Sequence, residues 1–217
     1  MKNVIALILL SCLFGCARFN NNRDLSSEQV KNDNVEWLSY GNDLAASKFS
    51  YADQIDKTNV HQVKLLWNWK SIDNDIVKKK KLNTSYNEST PLMVDGKVFV
   101  STNLNQVASL NPLTGELIWS FDPKVYETYN NKVFGLTQGP VNQNFVQRGL
   151  SYKKIDGRGV IFLNTNDSRL ISIDAETGKV NPGFGKNGTV DVIEHLQRGK
   201  INHFNIGNTS PALICNN

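Results

Sequence analysis

Thiols, imidazoles and long apolar runs are all scarce in this 217-residue chain. It has three cysteines, two of which (Cys12 and Cys16) fall in the first sixteen residues, so Cys215 stands alone in the rest. One thiol makes neither an internal disulfide nor a metal cluster, and Cys215 is expected to pack as a small apolar residue in a strand. There is no His-x-x-x-His, paired-Cys or Gly-x-Ser-x-Gly pattern, which removes zinc-hydrolase and serine-esterase readings. The three histidines, His61, His195 and His203, read as surface or loop residues. Charge is also modest: 24 basic against 20 acidic residues, a net +4. The one basic run, Lys78, Lys79, Lys80 and Lys81, is flanked by Asp73, Asp75 and Asn83. It is expected to be a solvated loop between strands, with no nucleic-acid partner.

The single apolar run lies at the N-terminus. Met1-Lys2 is a basic start, residues 4–10 are an apolar core, and Leu13-Phe14-Gly15-Cys16 ends it. Such a run is too short to span a bilayer and has the form of an exported, cleaved signal. The small Gly before Cys is the pattern of a bacterial lipoprotein. Residues 1–15 are therefore expected to be the signal peptide, with Cys16 carrying the lipid. Residues 16–34, polar and Asn-rich, would form a tether. Ala17 after the lipidated Cys favours the outer membrane. Cys12 would leave too short an apolar core to be the lipid site. No second run of spanning length follows, so the body is expected to be soluble and held to the membrane by its lipid.

What the chain does have is an internal repeat. Residues 98–116, VFVSTNLNQVASLNPLTGE, align without a gap onto residues 161–179, IFLNTNDSRLISIDAETGK. Phe99/Phe162, Thr102/Thr165, Asn103/Asn166, Ser109/Ser172, Thr114/Thr177 and Gly115/Gly178 are identical. Each copy reads as an apolar strand, a polar turn, a second strand (residues 106–110 or 169–173) and an Asx-x-x-Thr-Gly turn. A further strand over 116–121 carries Trp119. Thr90-Pro91-Leu92-Met93-Val94-Asp95-Gly96 reads as a strand opened by Pro and a hairpin turn, and residues 209–214 repeat that opening. A strand-built repeat of this length predicts propeller blades. The chain therefore starts a further blade and stops inside it, as expected of an N-terminal piece of a longer protein.

A series of elements from Trp37 onward carries a resemblance: Trp37-Leu38-Ser39-Tyr40-Gly41, Lys48-Phe49-Ser50, Asp53-Gln54-Ile55, Leu66-Trp67-Asn68-Trp69, Glu88 ahead of the Thr-Pro strand, the Asn111 turn with Trp119, Arg148-Gly149-Leu150-Ser151-Tyr152, and Phe184-Gly185-Lys186-Asn187-Gly188. In this order they resemble the N-terminal part of the pyrroloquinoline quinone (PQQ)-dependent dehydrogenases, most of all the branch with membrane-bound glucose dehydrogenase. The resemblance implies an all-β fold over residues 35–217: the first two to three blades of an eight-bladed propeller. It also implies PQQ and calcium on the ring axis, an alcohol, polyol or sugar substrate, and a quinone or cytochrome electron acceptor.

By the same resemblance Glu88, Arg148 and Thr209 are cofactor-binding. Their chemistry suits it: a guanidinium grips a carboxylate with two parallel hydrogen bonds, a hydroxyl donates, and a carboxylate beside an anionic cofactor is tolerable once paired with Arg148. The plainer readings are a surface Arg, a loop Glu and a strand-start Thr. Trp119, Gly115 and Gly178 read as structural, with the tryptophan docking between neighbouring blades. Trp67 and Trp69 read as core or inter-blade packing. The second repeat has Pro182 where Trp would fall and Phe184 two residues later, so docking there is altered. Two departures stand out. Phe145-Val146-Gln147 replaces the adjacent cysteines of the alcohol-oxidising branch, and Asn144 stands where the glucose branch has His. No catalytic residue is assigned, because the family's catalytic Asp and calcium ligands are expected beyond residue 217. The chain alone is then expected not to turn over substrate. The competing expectation is a cofactor-free propeller lipoprotein acting as a scaffold in outer-membrane assembly.

Overall fold

A computed structural model describes residues 35–43, 45–82, 84, 87–128, 145–194, 196 and 208–215. The signal, the Cys16 lipid site, the tether, Asn144, His195 and His203 lie outside these residues. Two four-stranded antiparallel sheets dominate. The first is β1 (Leu92–Val94), β2 (Lys97–Ser101), β3 (Val107–Leu110) and β4 (Leu117–Phe121), in that order. The second is β5 (Ser151–Ile155), β6 (Arg158–Asn164), β7 (Arg169–Asp174) and β8 (Thr189–Asp191). Each is a meander whose order in space is its order in sequence.

The sequence repeat is a repeat of register. Phe99 faces Ser109 across β2–β3, and Phe162 faces Ser172 across β6–β7. Both first hairpins turn on Asp-Gly: Asp95 and Gly96 at φ 48° and 69°, Asp156 and Gly157 at 49° and 77°. Positive φ at both central residues is the turn that matches strand twist, and Asp and Gly tolerate it. Between the sheets lies one core containing Leu92, Phe99 and Val107 of the first and Ile161, Leu163 and Ile171 of the second, all almost fully buried.

Tryptophan docking joins the blades. The Trp119 indole Nε1 donates to the Ala175 carbonyl at 3.1 Å, and its ring covers Gly178, where a Cβ would stand 2.6 Å from it. Trp67 repeats this on the first blade: Nε1 donates to Pro112 O at 2.9 Å, and a Cβ on Gly115 would lie 2.5 Å from its ring. Pro112 and Ala175 hold the same place in their Asx-x-x-Thr-Gly turns. Residues 63–70 thus lie where an outer strand of a preceding blade would, although no strand forms there. In the second blade, Phe184 packs on Phe162 with ring centroids 5.6 Å apart, as Trp119 packs on Phe99 at 5.8 Å.

A lead-in hairpin runs along the edge of β1 that faces away from β2. Trp37 and Met93 exchange backbone hydrogen bonds of 2.7 and 3.1 Å. The chain runs antiparallel to β1 at Trp37 and comes back on itself, with Lys48 N donating to Gly41 O at 3.0 Å. Gly41 is required there: a Cβ would sit 2.5 Å from the Ala46 Cα.

Three expectations need correction. The lysine run is not a loop: Lys78, Lys79 and Lys80 end an α-helix, α1 (Asp73–Lys80), with Lys81 its left-handed cap. Acids in the first turn and bases in the last complement the helix dipole, which makes the flanking aspartates a helix signal. The buried Asp73 then anchors α1, accepting from Thr102 Oγ1, Leu104 N and Gln106 Nε2 at 2.6, 2.9 and 2.7 Å. The second correction concerns residues 208–215, which form no strand. They lie beside Arg148, whose N–H donates to Thr209 O at 2.9 Å, without a ladder. Third, Cys215 is exposed, because that segment has no packed face around it.

Two stability predictions follow from this packing. Gly157→Ala meets only its own backbone strain, since nothing lies within 4 Å of the added Cβ, and is expected to cost about 1 kcal/mol. Gly178→Ala adds a clash with the Trp119 ring and is expected to cost a further 1–3 kcal/mol in urea unfolding; equal losses would contradict the docking account. The second prediction concerns pH. Asp95, at the first hairpin tip, accepts from Lys154 Nζ at 2.6 Å and Tyr152 Oη at 2.5 Å across the blade boundary. Those hydrogen bonds, Lys154 first, hold its carboxyl below the usual range. A lowered folded pKa means stability present above the unfolded pKa and lost as pH falls through the folded one. Asp95→Asn is therefore expected to cost up to about 1 kcal/mol near neutrality, since the pair is partly exposed, with the difference vanishing in acid.

Candidate functional site

The innermost segments of successive blades lie side by side. Thr90 N donates to Arg148 O at 3.0 Å, Arg148 N donates to Thr209 O at 2.9 Å, and Thr90 and Gly149 form a parallel bridge. Each of the three inner segments therefore presents a residue at the same level. That is why three residues spread over 120 positions of sequence meet.

Glu88, Arg148 and Thr209 converge on one point. Arg148 Nε and Glu88 Oε2 are 3.0 Å apart, and an Arg148 Nη1–H donates to Thr209 Oγ1. The Arg and Glu side chains are 41% and 46% exposed, so the pair faces an open space. Among the described residues these contacts engage Nε and Nη1 of the guanidinium, which carries five N–H groups. Ser89 ties this end to β2 through a 2.8 Å hydroxyl contact with Ser101.

Gln147 is a residue the sequence reading passed over. It is fully buried; its Nε2 donates to Asn164 O at 2.7 Å and its Oε1 accepts from Arg148 N at 3.0 Å. It fixes the backbone from which Arg148 reaches, in the stretch where the reading registered only missing cysteines. Its neighbour Phe145 is buried with Leu104 and Val125. His61 is exposed on a 3-10 turn, Val60–Gln62. Among the described residues no group of three or more His, Cys, Asp or Glu side chains is placed to hold a metal ion.

Four-stranded meanders, joined by tryptophan on the Gly of the next Thr-Gly turn and with inner strands side by side, define blades of a β-propeller. The family is specific. The model of the PQQ glucose/ethanol/alcohol dehydrogenase β-propeller domain matches residues 37–217, and the chain belongs to that family. It is 32% identical over 178 residues to the dehydrogenase subunit of a quinone-type alcohol dehydrogenase from Gluconobacter oxydans (strain 621H), covering 76% of this chain and 20% of that one. Quinoprotein glucose dehydrogenase A of Acinetobacter calcoaceticus is 27% identical over 187 residues, covering 82% of this chain and 23% of the relative. Among solved structures, quinohemoprotein alcohol dehydrogenase from Comamonas testosteroni matches with a TM-score of 0.52 and 27% identity, over 74% of this chain and 20% of that one. The chain thus spans about a fifth of the length of the curated relatives it matches.

The exposure of the Glu88–Arg148 pair bounds what it adds to stability. A half-exposed ion pair contributes at most about 1 kcal/mol to folding. Glu88→Gln is therefore expected to shift the unfolding midpoint by little. A loss of several kcal/mol would mark the pair as a structural clamp.

Proposed function

We propose that this chain forms one wall of the cofactor cup of a PQQ-dependent dehydrogenase that oxidises an alcohol, polyol or sugar outside the cytoplasm. The observation that carries the reading is the convergence of Glu88, Arg148 and Thr209 at the open end of adjacent inner strands. A scaffold has no need of such a group, and no observation favours that alternative.

The residues present fit the cofactor. PQQ is a planar quinone with three carboxylates, and bound it supplies the acceptor for the two electrons removed from the alcohol. Arg148 would hold a carboxylate through its remaining N–H edge, with charge-assisted hydrogen bonds. Thr209 would add a hydroxyl contact. Glu88 keeps the guanidinium in place and limits the net charge to that of a neutral pair, so the site selects by geometry more than by long-range attraction. Gln147 holds the Arg148 backbone. In this reading the proton-accepting Asp and the calcium ligands come from sequence after Asn217, and a quinone or cytochrome takes the electrons. Residues 1–15 act as a signal, Cys16 carries the lipid, and residues 17–34 tether the blades to the periplasmic face of a membrane, the outer one by the Ala17 criterion. No helix among the described residues is long and apolar enough to cross a membrane.

The test is a PQQ titration of the 217-residue chain, followed by cofactor absorption and tryptophan quenching. Saturable binding is expected, weakened roughly 10- to 100-fold by Arg148→Ala, with no turnover of alcohols or sugars when calcium is added. Absence of saturable binding, or equal binding by Arg148→Ala, would overturn the site. Turnover by this chain would overturn the assignment of the base to later sequence.

A further inference from the structure

We propose that Asn164, the last residue of β6, is a positioning residue for Thr209. This rests on the cofactor reading above and adds to it the group that aims one of its three contacts. Ser101 and Asn164 hold the same place in the repeat, and each ends the second strand of its blade. Both lie at the end of the sheet where Glu88, Arg148 and Thr209 meet. At Ser101 a short hydroxyl reaches within its own blade, where its Oγ lies 2.8 Å from Ser89 Oγ. Asn164 reaches two ways. Its backbone carbonyl accepts from Gln147 Nε2 at 2.7 Å, on the Arg148 side, and its side-chain Nδ2 donates to Ser210 O at 3.0 Å, on the Thr209 side. One residue at the fixed end of a ladder strand thus spans two of the three segments that make the site.

Segment 208–215 has no ladder of its own, so its placement depends on contacts of this kind. The successive carbonyls of Thr209 and Ser210 are both taken, the first by Arg148 N at 2.9 Å and the second by the Asn164 amide. Ser151 Oγ donates to the Ala212 carbonyl further along. Two held carbonyls in succession stop the segment from rotating about its own axis. They keep the Thr209 hydroxyl turned to Arg148 Nη1. A backbone acceptor calls for a donor, and the asparagine amide supplies one at a reach that serine lacks. Replacing the Asn164 side chain leaves its carbonyl, and hence the Gln147 contact, in place. The substitution therefore acts on the Thr209 arm and spares the backbone hold on Arg148.

The experiment is a double-mutant cycle read by PQQ titration of the 217-residue chain: wild type, Asn164→Ser, Thr209→Val and the pair. Serine is what the first blade carries at this place, so Asn164→Ser is expected to fold, which urea unfolding checks. Each single substitution is expected to weaken binding about three- to tenfold. The pair is expected to bind no more than about twofold more weakly than the weaker single, because a misaimed hydroxyl and a missing one are the same loss. A tie that served only folding would act equally with or without the Thr209 hydroxyl, so losses that multiply would overturn the route through Thr209. Wild-type affinity in Asn164→Ser beside a loss in Thr209→Val would overturn the positioning role and leave the cofactor reading standing. Wild-type affinity in Thr209→Val would remove Thr209 from the site and this role with it. Failure of wild type to bind saturably would overturn both readings.

Discussion

An indole lying on a glycine holds these blades together. The contact works because the glycine has no Cβ and the indole has one donor. The ring closes over Gly178 or Gly115, and Nε1 reaches the carbonyl three residues earlier in the same turn. Any larger residue would displace the ring; any aromatic without an N–H would forfeit the hydrogen bond. The Asx at the turn's start serves the same end. Asn111 Oδ1 accepts from Leu113 N and Asp174 Oδ1 from Thr177 N, both at 2.8 Å, which fixes the carbonyl that the indole meets. A sequence signature of five residues is thus the receiving half of an inter-blade joint, and the donor half lies about fifty residues earlier.

That joint sets the spacing and tilt of neighbouring sheets, and the inner edge follows from it. Sheets packed face to face at a constant offset bring their first strands into parallel contact, so Thr90, Arg148 and Thr209 form a backbone relay. Residues at the start of each inner strand then meet at one level, whatever their distance in sequence. The site is made from one position per blade. This explains how a half-exposed Glu–Arg pair of little value to folding can be held so definitely: its backbone is fixed by the relay and by buried Gln147.

The parts legible in sequence were those in which one residue type answers one local demand. Alternating apolar residues gave the strands, Asp-Gly gave the first hairpin, and the aligned Thr-Gly turns gave the register. Trp67 and Trp119 were recognisable as packing residues, although their acceptors Pro112 and Ala175 were not. Glu88, Arg148 and Thr209 were singled out through a resemblance; no local pattern joins them. Where the reading failed, the decisive contact was distant. α1 is short and mostly polar, and its stability comes from Asp73 buried against a turn some thirty residues away. Cys215 was judged by its type, while exposure is set by what lies beside it. Gln147 drew no notice because a buried glutamine serving two backbone groups looks like any other glutamine.

The same arrangement has a consequence for how a ligand and the fold support each other. Glu88, Arg148 and Thr209 belong to three chain segments joined by the backbone hydrogen bonds from Thr90 to Arg148 and from Arg148 to Thr209, by their own side chains, and by Ser151 Oγ and Asn164 Nδ2, which donate to the Ala212 and Ser210 carbonyls. A ligand bound across them would close a link that local sequence cannot supply, and its free energy would be added to folding as RT ln(1 + [L]/Kd), about 2.7 kcal/mol at a hundredfold excess over Kd. In a repeat architecture, where stability is close to a sum of blade terms and neighbour terms, such a link acts on the neighbour terms. Each sheet carries its own ladder, and the two share one apolar core. It is the inner rim, and above all the ladderless segment 208–215 held beside Arg148, that has most to gain in order from an occupant of the axis.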